Sequence, residues 1–142
     1  MIKTYILIIG AGPTGLFSVF EAGLLKLKCY LIYSLPMPGG QCAEIYPKKP
    51  IYDIPSHPEI MAGDLIKNLE DQIAPFQPGY TLGESAVTIE KTDDEQFIVT
   101  TDQGKKHQSP VVAIAGGLWN FEPRKPPLEN LCLLYTSPSP RD

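Results

Sequence analysis

The feature that most constrains this chain is Gly10-Ala11-Gly12-Pro13-Thr14-Gly15, placed directly after the apolar run at residues 5–9. That run is rich in isoleucine and bounded by glycine, the pattern of a strand buried on both faces of a parallel sheet. Residues 15–25 carry Leu16, Val19, Phe20 and Leu24 at helical spacing, and residues 28–33 form a second short strand pattern. Strand, tight glycine turn, helix and strand make a βαβ unit, whose crossover is right-handed. In G-x-G-x-x-G each glycine has its own task. Gly10 makes the turn, Gly12 lets the backbone approach a pyrophosphate, and Gly15 lets helix and strand pack closely. The amides at the helix start then face the phosphates, whose charge suits the positive end of the helix dipole. The chain is therefore read as binding a dinucleotide, against the plainer reading of a glycine turn with only a structural role.

Residues 35–58 read as irregular, with prolines at 36, 38, 47, 50, 55 and 58. A stretch that long without regular structure is usually functional or mobile. Residues 64–74 form the next helix pattern, with Leu65, Ile66, Leu69 and Ile73 on one face and Pro75 as its stop. Residues 80–82, 86–91 and 96–102 read as strands of a small antiparallel insertion, with Asp93-Asp94 and Gln103-Gly104 as turns. Residues 111–115 read as another buried strand, ending in Gly116-Gly117, and residues 123–127 as a linker.

Composition excludes several classes. The formal net charge is -4 over 142 residues, which argues against nucleic acid or an anionic membrane as partner. The uncharged stretch at residues 4–20 is broken by glycine and proline and falls short of the ~20 apolar residues that span a bilayer, and no signal-type cleavage pattern follows it. Cys29, Cys42 and Cys132 form no C-x-x-C, and an odd count suggests neither a disulfide framework nor a zinc site. A reducing, cytoplasmic setting fits best. His57 and His107 read as solvated or structural, and no metal site, Ser-His-Asp set or catalytic carboxylate pair can be argued.

Further motifs carry a resemblance. Pro38-Gly39-Gly40-Gln41 is followed by Glu44-Ile45-Tyr46-Pro47 and by Ile51-Tyr52-Asp53-Ile54-Pro55. With Gly15-Leu16-Phe17, Ala113-Ile114-Ala115-Gly116-Gly117 and Phe121-Glu122-Pro123-Arg124-Lys125, this series resembles the ferredoxin/flavodoxin–NADP reductases of the thioredoxin-reductase-like type. The resemblance runs from Met1 to about Asn130. It implies an α/β fold, a Rossmann-like FAD-binding domain whose parallel sheet carries a small antiparallel insertion. That domain would occupy residues 1–117. Residues 118–131 would begin a linker to an NADPH-binding domain that does not follow. The family pattern stops after Asn130, and residues 132–142 resemble translated sequencing adapter, so the expectation is an incomplete, N-terminal piece of an enzyme that is inactive by itself.

The resemblance also implies site residues. Thr14 would lie in the pyrophosphate turn with Gly10, Gly12 and Gly15. Gln41 and Tyr46 would lie by the isoalloxazine, Val87 by the adenosine, and Phe121 near the flavin, where Trp119 could crowd it. Tyr33 stands where an acid normally grips a ribose hydroxyl. Loss of that acid can signal a 2′-phosphate, but no arginine lies between Lys28 and Lys48, so FAD stays the expectation, held less firmly by a neutral phenol. In such enzymes NADPH is the electron donor, ferredoxin or flavodoxin the acceptor, and the assembly a homodimer. Two other readings stay open: a disulfide-reductase piece, and a non-catalytic dinucleotide-binding module.

Overall fold

In a computed structural model the chain is described over residues 1–117. The first βαβ unit forms as its pattern predicts. After the short strand β1 (Ile2–Lys3), β2 (Ile6–Ile9) runs into α1 (Pro13–Leu24), which leads to β3 (Cys29–Tyr33). Pro13 opens α1 at a position where its missing N–H costs nothing. β2 and β3 pair in parallel, with Ile6 opposite Cys29 and Ile9 opposite Ile32.

The proline-rich segment is less irregular than expected. It holds one helical turn, α2 (Gln41–Glu44), and a two-residue strand, β4 (Pro50–Ile51), which pairs antiparallel with β5 (Ile60–Met61). Then α3 (Ala62–Ile73) follows, buried through Leu65, Ile66, Leu69 and Ile73, and a short 3-10 turn over Ala74–Phe76 ends it at Pro75.

β6 (Gly79–Leu82) corrects one expectation. It is not part of the antiparallel insertion. It pairs in parallel with β3, Leu31 opposite Tyr80 and Tyr33 opposite Leu82. A three-residue apolar pattern carries no sign of its partner; α3 decides it by returning the chain to the same end of the sheet. The insertion is built instead from β7 (Ala86–Lys91), β8 (Phe97–Thr101) and β9 (Lys106–Ser109). β1 joins its far edge in parallel beside β9. The sequence Lys106-His107-Gln108-Ser109 hides β9 from a hydrophobic pattern, because its inward residues His107 and Ser109 are fully buried yet polar. Ser109 Oγ donates to the Val111 carbonyl and His107 Nε2 lies 3.0 Å from Thr81 Oγ1, while the buried His107 Nδ1 has no partner.

β10 (Val111–Ile114) pairs in parallel with β2, so the main sheet has the order β10-β2-β3-β6. The expectation that β10 is buried is corrected too. It lies at the edge of the described sheet, with Val111 49% and Ile114 70% exposed.

Alternation along the strands divides the core in two. Ile8 and Leu31 face α1 and α3, while Leu7, Ile9 and Ile32 face the antiparallel sheet and pack with Val99. Each of these side chains contributes about 1.5–3 kcal/mol by leaving water. Helices therefore cover one face of the parallel sheet and the antiparallel sheet covers the other. The strand ends that carry the glycine turns are left open at the top.

Candidate functional site

At the carboxyl ends of β2, β3 and β10 lies a cavity of about 900 Å³. Such a crevice is where open α/β sheets bind ligands. Its floor is the glycine turn. Gly10 has φ +114°, a conformation that L side chains rarely adopt, and its missing side chain leaves room for the carbonyl of Ala115. The Gly10 N–H donates to the Ile32 carbonyl at 2.9 Å, and the Ala115 N–H to the Ile9 carbonyl at 2.8 Å, so the turn is tied to the strands on either side. A side chain on Gly15 would strike the Gly10 carbonyl, which is how α1 packs so closely on its strand.

The second glycine pair closes over the first. The Gly39 N–H donates to the Ala11 carbonyl at 2.7 Å. Gly40 has φ +62°, and a Cβ built on it would lie 3.1 Å from the Gly12 Cα. Two turns about thirty positions apart in sequence thus form one wall-to-wall cradle in which backbone, not side chain, faces the cavity. Thr14 and Pro13 line its helix end and Gln41 its far end. The amides at the start of α1 point at this space, a disposition that suits an anion.

Of the residues singled out in the sequence, Gly12, Thr14, Tyr33 and Gln41 line this cavity, and Gly10 and Gly15 shape it from below. Tyr46 does not line it. It lies on an adjoining groove of about 550 Å³ that shares Pro13, Gln41 and Cys42 with the cavity, and Lys49 Nζ sits 5.3 Å from its ring centre. Val87 lies on β7, 58% exposed and outside the lining of both spaces. Phe121, Trp119, Cys132, the linker and the tail at 132–142 fall outside the described residues. Ser34, Glu44 and Ser85 also line the cavity and were not picked out beforehand. Ser34 adjoins a recognised position, but Ser85 lies in the loop between β6 and β7 and nothing in its local sequence marks it.

The titratable groups here are quiet. Burial pushes the Tyr33 phenol up; the Gly40 N–H pulls it back in part, and the Glu44 carboxylate adds to the rise. Burial also pushes the Cys42 thiol up, so it stays protonated and poorly nucleophilic. Beneath the lip, Glu84 is 5% exposed and accepts hydrogen bonds from Lys105 Nζ at 2.5 Å and Thr101 Oγ1 at 2.6 Å. Those two bonds, Lys105 first, hold its carboxyl below the ordinary value. No group of three or more potential metal ligands occurs among the described residues, and none of their helices is long and apolar enough to cross a membrane. The arrangement suits an extended anionic molecule lying along the start of α1.

Known proteins agree with this geometry. The chain is 73% identical over 131 residues to ferredoxin–NADP reductase 2 of Christiangramia forsetii and 66% identical over 131 residues to the ferredoxin–NADP reductase of Flavobacterium johnsoniae. Over those 131 residues the sequence is similar to that of ferredoxin–NADP reductases. The match takes in 92% of this chain and 37% of each reductase, so the chain spans a little over a third of the length of these relatives. No family model matches the chain. Among solved structures, a thioredoxin reductase from Streptococcus pyogenes superposes with a TM-score of 0.68 at 23% identity, covering 79% of this chain and 34% of that one. A cyclohexanone monooxygenase superposes at 0.66 and 20% identity, covering 81% and 27%. At those identities the likeness establishes the fold alone: a Rossmann-like α/β domain of the kind found in thioredoxin-reductase-type enzymes.

Proposed function

We propose that the cradle between the two glycine turns holds FAD, and that this ferredoxin–NADP reductase sequence serves an oxidoreductase that moves electrons between NADPH and ferredoxin or flavodoxin. The observation that carries the reading is the closure of Gly39–Gly40 onto Ala11–Gly12. It brings glycine backbone to the cavity wall between the start of α1 and Gln41, where a pyrophosphate would pass. The chain's own residues fit the cofactor in order. Tyr33, Ser34 and Ser85 stand at the adenosine end, with Val87 further along the same segment. The amides of Thr14 and Gly15 face the diphosphate, and Gly12 keeps its approach clear. Gln41 offers an amide that pairs with ring polar atoms, and Tyr46 walls the adjoining groove where a flat ring system would lie. Phe121 completes this set in the family pattern.

When bound, FAD supplies the redox chemistry, accepting a hydride from NADPH and passing electrons on singly. The protein's part is to bind, orient and shelter it. The half-buried Cys42 thiol, kept protonated by burial, leaves the ring groove without a competing nucleophile. The nicotinamide nucleotide needs a site of its own, and the described residues provide one nucleotide cradle. We therefore expect the 142 residues alone to bind FAD weakly and not to oxidise NADPH. Homodimeric assembly and a cytoplasmic setting belong to the same proposal, supported by the family resemblance and by the unpaired cysteines Cys29 and Cys42.

The test is a fluorescence titration of the purified chain with FAD, followed by displacement with ADP, alongside an NADPH oxidation assay. Weak FAD binding that ADP displaces, without NADPH turnover, is the expected result. FAD binding indifferent to ADP would show that the cradle is not the nucleotide site.

A further inference from the structure

The adenosine end of the cradle departs from the usual design of such turns. An acid at the end of the second strand accepts a hydrogen bond from a ribose hydroxyl, and its charge repels a phosphate esterified there. In this protein β3 ends in Tyr33, Ser34 follows it, and Ser85 stands in the loop between β6 and β7; all three line the cavity. The strand ends are held in that relation by backbone bonds, Gly83 N–H to the Leu35 carbonyl at 3.0 Å and Glu84 N–H to the Tyr33 carbonyl at 3.2 Å.

These are neutral groups with protons to give. Burial raises the Tyr33 pKa, so the phenol stays protonated and its O–H can donate. The serine hydroxyls donate or accept as the ligand requires. The one carboxylate on the lining is Glu44, which is exposed on α2 and screened by solvent. No lysine or arginine is among the lining residues. An anion beside the ribose therefore meets hydroxyl donors where an acid is usual, with the nearby carboxylates either exposed to solvent (Glu44) or paired with Lys105 (Glu84).

We infer that this cradle accepts adenosine-diphosphate nucleotides with or without a phosphate on the ribose 2′-oxygen, so that NADP(H) competes with FAD for it, and that Tyr33 is the residue that sets this tolerance. The inference rests on the nucleotide-binding reading above and adds a selectivity to it. A reductase of this kind would be sensitive to inhibition of cofactor loading by its own nicotinamide nucleotide.

The test uses two probes that differ only in the phosphate, ADP-ribose and 2′-phospho-ADP-ribose, titrated calorimetrically into the 142-residue chain and its Tyr33→Glu variant. The native chain should bind the two within about threefold of each other, since no fixed charge beside the ribose distinguishes them. Tyr33→Glu should shift the ratio about tenfold or more towards ADP-ribose, by adding a charged acceptor for the hydroxyl and a repulsion for the phosphate. A native preference of tenfold or more for ADP-ribose would overturn the inference, as would an unchanged ratio in a folded Tyr33→Glu chain. Should that variant fail to fold by circular dichroism, the native ratio alone decides. Failure of the native chain to bind either probe would overturn the nucleotide-binding reading itself, and this inference with it.

Discussion

Gly12 and Gly10 are both glycines of one turn, yet the structure gives them different reasons to be glycine, and alanine substitution separates them. Gly12 has φ −76° and ψ −175°, extended backbone that any residue adopts. A Cβ there would meet nothing closer than the Gly40 Cα at 3.9 Å, an ordinary contact. Gly12→Ala should therefore leave the fold intact, and even stabilise it by about 0.4–1 kcal/mol by restricting the unfolded chain. The added methyl group stands on the cavity wall, where the diphosphate must come close to the backbone. Holding the phosphate off far enough to break one charge-assisted hydrogen bond costs about 1.5–3 kcal/mol, which weakens binding roughly 10- to 150-fold. Gly10→Ala is the opposite case. It puts a side chain at φ +114° and drives it into the Ala115 carbonyl. Backbone strain of about 1–3 kcal/mol and overpacking of about 1–3 kcal/mol together remove a large part of the ~5–15 kcal/mol that holds an ordinary domain folded. The assays are denaturant unfolding of each variant and calorimetric titration with ADP. The reasoning fails if Gly12→Ala binds ADP as tightly as the native chain, or if it loses as much stability as Gly10→Ala.

Two further predictions concern buried titrating groups. The carboxyl of Glu84 is held below its ordinary value of 4.5 by Lys105 and then Thr101, so its contribution is complete above that value and drains away as pH falls towards the lowered one. Thermal melts should show the native chain losing stability below this point, with a shallower acid dependence in Lys105→Met; equal slopes would count against the ion pair. His107 is fully buried, with Nδ1 lacking a hydrogen-bond partner, and burial pushes its pKa below the ordinary 6.5. The unfolded chain therefore takes up the proton first, and stability falls as pH drops below 6.5. In His107→Gln, melting between pH 6.5 and the acid limit set by the carboxylates should flatten, and an unaltered profile would place the sensitivity elsewhere.

Much of the site was legible because the residues that build it are marked by unusual chemistry over short distances. Gly10, Gly12 and Gly15 follow a buried strand and open a helix, a combination of local signals that reads as a nucleotide-binding turn. Tyr33 could be found by counting along the second strand, and its neutral character was plain from the sequence. The same local logic located α1, β3 and α3, whose apolar positions repeat at the right period. It failed where a residue's meaning is set by what lies across from it. β6 looks like its antiparallel neighbours until α3 returns the chain beside β3. β9 has no apolar pattern because His107 and Ser109 bury polar atoms against partners that come from other strands. Ser85 faces the cavity only because the end of β6 is held by the Tyr33 and Leu35 carbonyls.

The sequence by itself determined that this chain builds a strand–turn–helix whose first amides open the helix beside the glycine turn, since glycine spacing and strand polarity are properties of neighbouring residues. Only the tertiary structure decided that Gly39–Gly40 closes onto Ala11–Gly12, and that three neutral hydroxyls meet where an acid is usual. Those are contacts between segments separated by tens of residues, fixed by sheet order and packing, and no local pattern encodes them.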